Sequence, residues 1–137
     1  MEEKLAPRLE DYLETIYLIE KKNQVARVKE IAKARNVKMP TVTEVLKRLS
    51  ERGFIKYEPY GYVKTTEKGK EYARKLYEKH KILIEFMTEV LRLPLERAEE
   101  EGCLLEHHLS EETLNRIKEL TRYFKEKGIK LFGDMND

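Results

Sequence analysis

Three side chains of types that bind metals fall at helical spacing near the end of the chain. In Glu101-Gly-Cys-Leu-Leu-Glu-His-His108, residues Cys103, Glu106 and His107 stand at i, i+3 and i+4. On a helix of about 3.6 residues per turn they share one face. A thiolate, a carboxylate and an imidazole on one patch are three donors for a first-row divalent ion. The competing reading is a small buried cysteine beside solvated Glu and His, since a free Cys usually packs as a hydrophobe. Spacing alone does not choose between them. Asp11 and Glu14, at i and i+3, also share a helix face. By periodicity that face lies opposite an apolar stripe, which suits two solvated carboxylates. His80 falls midway along a long helical stretch. No His-Glu-x-x-His motif occurs and no carboxylate is placed as an obvious base, so metal hydrolysis has no support and no enzymatic activity is expected.

The elements that carry these residues follow from composition and pattern. The 137 residues suffice for one domain, or two small ones, without covalent staples. No apolar run approaches a membrane span, and the N-terminus has no basic-then-apolar leader pattern. A single cysteine excludes an internal disulfide framework and fits a reducing cytoplasm, the expected location. The 28 basic and 26 acidic side chains are unevenly placed: residues 1–70 carry 16 and 11, residues 71–137 carry 12 and 15. A basic first half is the electrostatic footprint of an anionic partner, although ordinary surface charge gives the same signal.

A helix is expected from Pro7 to about Lys22, with Leu9, Tyr12, Leu13, Ile16 and Ile19 inward. A short strand at Val25–Val28 and a short helix over Lys29–Arg35 follow. Asn36–Met39 reads as a tight turn, and Pro40 opens a helix to Arg52. At about 100° per residue, Val42, Val45, Leu46 and Leu49 lie together on that helix, with Thr43, Glu44 and Lys47 opposite. Gly53 ends it. Phe54–Tyr57 and Tyr62–Thr65 read as a hairpin closed by Glu58-Pro-Tyr-Gly61. Long helices are then expected from Thr66 to about Leu91, Pro94 to His108 and Ser110 to about Lys127, the last capped by Ser110. The second half of the first of these, from Ile82 to Val90, is apolar on more than one face, as burial against a partner requires.

The fold class is therefore mainly α: a winged helix-turn-helix with a two-stranded wing over residues 1–70, and a helical unit over 71–137. In such a fold the second helix of the pair enters the DNA major groove. Its exposed residues, Pro40, Thr41, Thr43, Glu44 and Lys47, are the candidate base contacts. Lys38 at the helix start and Lys56, Tyr60 and Lys64 on the wing are candidate phosphate contacts. An amphipathic helix whose polar face merely sees water is the alternative; the ordered succession of turn, Pro40 start and wing favours DNA.

Leu9-Glu-Asp-Tyr-Leu-Glu-Thr-Ile-Tyr17, Ile31-Ala, Met39-Pro-Thr-Val-Thr43, Thr66-Glu-Lys-Gly69, Lys79-His80 and Cys103-x-x-Glu-His107 together resemble the diphtheria toxin repressor/manganese transport regulator family. The likeness runs from about residue 5 to 125 in unbroken order. It implies a metal-activated transcriptional repressor that binds a palindromic operator as a homodimer, with Mn²⁺ or Fe²⁺ as corepressor and a role in metal homeostasis. The helical unit would be the metal-binding and dimerisation domain. The implied metal ligands are Asp11, Glu14, His80, Cys103, Glu106 and His107. The sequence mixes two branches: Asp11 and Glu14 match the manganese branch, Cys103 the iron branch. Glu99 stands where the iron branch has a His ligand of an ancillary site, and Ile84 where that site has a Glu. The family's SH3-like C-terminal domain has no counterpart within these residues. A repressor that senses an organic ligand, or oxidation of Cys103, is the alternative.

Overall fold

The structure, a computed structural model, describes residues 3–58 and 61–135. These form α1 (Pro7–Asn23), α2 (Val28–Arg35), α3 (Met39–Glu51), β1 (Ile55–Tyr57), β2 (Val63–Thr65), α4 (Glu67–Glu89), α5 (Leu95–Leu105) and α6 (Glu111–Lys127). The chain divides into two compact units, Met1–Lys75 and Leu76–Asp137, with the division inside α4 rather than at residue 70.

In the first unit, Pro7 opens α1, where a missing N–H costs nothing. Asn36, at φ 55°, ends α2 in the left-handed region that Asn tolerates better than most residues. Val42, Val45, Leu46 and Leu49 of α3 are fully buried, as the periodicity requires. They pack in a core that includes Leu5, Leu13, Ile16, Ile31, Phe54 and Val63. The two wing strands pair antiparallel in the register Ile55 to Thr65, Lys56 to Lys64 and Tyr57 to Val63. The strand expected at Val25–Val28 shrinks to one bridge between Ala26 and Val63, because Arg27 already caps α2 and Val28 begins it.

Two carboxylates of α1, one buried and one half-buried, bond to other elements despite their sequence position on a helix surface. Glu10 is buried and accepts a hydrogen bond from the Tyr72 hydroxyl, which in turn accepts from the Leu5 N–H. Glu20 accepts from both the N–H and the hydroxyl of Thr65 on β2. Each carboxylate thereby fixes α1 against another element of the first unit. Burial of an ionised carboxylate is tolerable only with such partners.

In the second unit, Leu76, Leu83 and Met87 of α4 and Val90 just after it are buried, as are Ala98 of α5 and Leu114 of α6. Arg92 at φ 60° turns the chain between α4 and Pro94. α5 stops at Leu105, three residues short of the expected end at His108. There the helix tightens, with the His108 N–H donating to the Leu105 carbonyl, and Ser110 becomes the N-cap of α6 by accepting from the Thr113 N–H at 3.1 Å. Leu104, Leu120, Tyr123, Leu131 and Phe132 remain exposed.

Candidate metal centre and nucleic-acid interface

The second unit brings His80, Cys103 and Glu106 together. His80 lies on α4 one turn before Leu83 and Ile84. Gly102 of α5 meets that same face: a Cβ at Gly102 would lie 3.0 Å from Ile84 Cδ1. The bare backbone at Gly102 thus admits close contact, and the next residue, Cys103, reaches the His80 ring. Glu106 Oε1 lies 2.8 Å from His80 Nδ1, and Cys103 Sγ lies 3.8 Å from the same nitrogen. One donor atom from each of the three residues falls within 4.8 Å of the others, the separation expected of ligands around one ion.

Glu106 is 1% exposed, and its Oε2 is buried without a hydrogen-bond partner among the described residues. Leaving a buried carboxylate oxygen unsatisfied costs about 1–3 kcal/mol or more. That oxygen is what a cation would satisfy, and the set of imidazole, thiolate and carboxylate fits a first-row transition ion better than Mg²⁺ or Ca²⁺. In the absence of a metal, the hydrogen bonds that the His80 imidazolium donates toward Cys103 and then Glu106 push its pKa up to about 11, against the burial that opposes it.

That shift gives a signed expectation for the chelated protein. A raised folded-state pKa adds stability fully present below the unfolded value of about 6.5. The contribution erodes as pH rises and is gone above about 11. Urea midpoints measured with a chelator present should therefore fall from pH 6 to pH 10. His80→Gln should flatten the part of the curve due to this group. A midpoint that rises with pH in the wild type but not in the variant would contradict the arrangement.

The other implied ligands are placed differently. His107 is buried but lies beyond the end of α5 and is outside the group of converging donors; its ring stands edge-on to His108 at 6.4 Å. Asp11 and Glu14 share a face of α1 in the first unit and are half-buried, not fully solvated. Asp11 Oδ2 lies 3.5 Å from Arg35 Nη2. Glu99 joins the centre from an unexpected side, its Oε2 3.1 Å from His80 Nε2. Spacing does disclose that Glu99 precedes Cys103 by one turn; only the structure shows that His80 lies between Glu99 and Glu106.

On α3, Pro40, Glu44 and Lys47 are exposed and Thr41 and Thr43 half-buried, with Lys38 exposed just before the helix. Arg48, which the periodicity argument passed over, is exposed beside them and pairs with Glu44 at 3.2 Å. Its signal was its place one turn after Glu44. Lys56 and Lys64 stand directly opposite each other on the exposed side of the wing. Like charges in that relation repel, so the pair is a local cost that an anion relieves. Beside them, Arg27 stacks on the Tyr62 ring at 4.7 Å. Tyr60 lies outside the described residues.

Comparison with known proteins places the chain in a family. The family model "Iron dependent repressor, N-terminal DNA binding domain" matches residues 4–63. The model "Iron dependent repressor, metal binding and dimerisation domain" matches residues 66–128. An uncharacterised HTH-type transcriptional regulator of Methanocaldococcus jannaschii is 44% identical over 124 residues, 90% of this chain and 99% of the relative. The solved manganese regulator SloR superposes with a TM-score of 0.75 at 28% identity, over 87% of this chain and 55% of that one. The metal-dependent transcriptional regulator MtsR does so with 0.77 at 26%, over 87% and 55%. The chain thus spans about half the length of these solved structures. The class is that of transcriptional regulators, not enzymes. The chain belongs to the iron-dependent repressor family.

Proposed function

We propose that this protein is a metal-dependent repressor of metal-homeostasis genes that binds a palindromic operator as a homodimer, with Mn²⁺ or Fe²⁺ as corepressor. The observation that carries this reading is the convergence of His80, Cys103 and Glu106, with one oxygen of the buried Glu106 unpartnered. His107, Asp11 and Glu14 are proposed as further ligands on the family likeness. A bound divalent ion supplies positive charge among these carboxylates. His80, Cys103 and Glu106 would hold the ion, with His80 deprotonated at Nδ1, and the ion's charge would offset the negative charge of Asp11 and Glu14. Metal occupancy would in this way control DNA binding.

Homodimerisation would account for exposed apolar side chains such as Leu104, Leu120 and Tyr123, which a second copy would cover. Two-fold symmetry then requires a palindromic operator. By linkage, DNA tightens metal binding by the factor by which metal tightens DNA binding. Carboxylates favour Mn²⁺, while the thiolate of Cys103 favours Fe²⁺, Co²⁺ and Zn²⁺. The decisive experiment is an anaerobic titration with Mn²⁺, Fe²⁺ and Zn²⁺, following binding to a palindromic duplex selected from a random pool. Affinity should rise with metal and collapse with chelator; chelator-insensitive binding would favour a sensor of an organic ligand or of Cys103 oxidation.

The wing adds a separate expectation. Lys56→Ala and Lys64→Ala should weaken DNA binding about equally for all sequences, each lowering the slope of log affinity against log salt by about one. An unchanged slope in both variants would remove the wing from the interface.

A further inference from the structure

We propose that Glu99 is a positioning residue of the metal centre. It holds the His80 ring with a proton on Nε2, so that the Nδ1 lone pair is turned toward Cys103 and Glu106. The inference rests on the metal reading above and assigns a role to a residue outside its ligand set. Glu99, Cys103 and Glu106 stand at i, i+4 and i+7 on α5 and its cap, so one stripe of that helix meets both edges of a single imidazole. Glu106 Oε1 and Cys103 Sγ lie 2.8 and 3.8 Å from Nδ1, whereas Glu99 Oε2 lies 3.1 Å from Nε2.

A neutral imidazole has one donor nitrogen and one acceptor nitrogen, and which is which follows from the partner of the donor. A histidine that gives one lone pair to a metal commonly donates its other N–H to a carboxylate, which orients the ring and raises its basicity. Glu99 is the group placed to accept that N–H. The ring also lies nearly parallel to that of Tyr77, with centroids 6.4 Å and planes 14° apart. A second role for Glu99, as ligand to another ion, has less support. One turn beyond His80 on α4 stands Ile84, whose side chain packs at Gly102 and offers no donor atom.

The test uses the full chain, with Mn²⁺ for affinity and diamagnetic Zn²⁺ for ¹⁵N spectra of the histidine ring. Glu99 is half exposed, its side chain at 51%, so substitution there should spare the fold. Glu99→Ala should weaken Mn²⁺ binding about tenfold, the lower end of the effect of losing such a partner. The number of ions per chain should stay unchanged, and the hydrogen-bonded Nε2–H signal of His80 should be lost. Glu99→Gln keeps an amide oxygen in the same place. It should retain the Nδ1-bound ring pattern and recover most of the affinity. Equal affinity and an unchanged His80 pattern in Glu99→Ala would overturn the proposal. Loss of one ion per chain would also overturn it, by making Glu99 itself a ligand. A wild-type chain that binds neither ion would instead fail the metal reading, and this inference with it.

Discussion

Glu106→Gln is expected to abolish metal-dependent operator binding while leaving a folded chain. Glu106 is the most buried of the converging donors and the only one with an unpartnered oxygen among the described residues. Replacing it with the isosteric amide keeps the shape of the cap of α5 but removes the negative charge that favours a cation in that place. Loss of an outer partner of a ligand costs roughly 10- to 100-fold in metal affinity; loss of a buried charged ligand should cost at least about 100-fold. Isothermal titration with Mn²⁺ and operator binding at a fixed metal concentration measure the two consequences. Far-ultraviolet circular dichroism in chelator checks that the helices persist. Near-wild-type metal affinity in a folded Glu106→Gln protein would remove the centre from the mechanism. Metal affinity lost with operator binding intact would separate the centre from DNA binding.

What made this site visible in the sequence, and what hid part of it, can be read from particular residues. Helical periodicity reveals co-facial residues on one segment, so Cys103 and Glu106 were legible, as was the buried row of Val42, Val45, Leu46 and Leu49. It fails where a helix stops. His107 stands beyond Leu105, where the chain has begun the turn that delivers Ser110 to cap α6, so periodicity does not fix where its side chain lies. Contacts between segments are invisible to periodicity altogether. The pairing of His80 with both Glu99 and Glu106 depends on how closely α5 approaches α4, which Gly102 and Ile84 set. Burial of Glu10 depends in the same way on Tyr72, 62 residues later. The assignment of Asp11 and Glu14 came from likeness to a family, because carboxylates at i and i+3 on a helix occur on any solvated face.

Gly69→Ala should destabilise the first unit by about 3 kcal/mol, near or above the upper end of typical overpacking costs. Ordinarily this substitution inside a helix stabilises, by roughly 0.5–1 kcal/mol. The expected sign is therefore opposite to that of propensity, and the cause is geometric. A Cβ at Gly69 would lie 1.8 Å from the Phe54 carbonyl oxygen and 2.8 Å from its carbon, contacts with backbone that no rotamer change can relieve. The Phe54 carbonyl is itself fixed by accepting the Thr66 N–H at 3.1 Å. Thr66 in turn donates its hydroxyl to the Gly53 carbonyl and accepts the Gly69 N–H, which locks the start of α4 to the end of α3. Phe54 is buried, with its ring edge-on to Tyr72, so moving its backbone disturbs the contact that Glu10 and Leu5 share with the Tyr72 hydroxyl. Urea denaturation of Gly69→Ala against Gly133→Ala makes the comparison, because nothing lies within 4 Å of a Cβ at Gly133. The second substitution should change stability by no more than about 0.5 kcal/mol. Were Gly69→Ala to stabilise the chain, the close approach of α4 to the residue preceding β1 would be wrong, and with it the packing that anchors the wing.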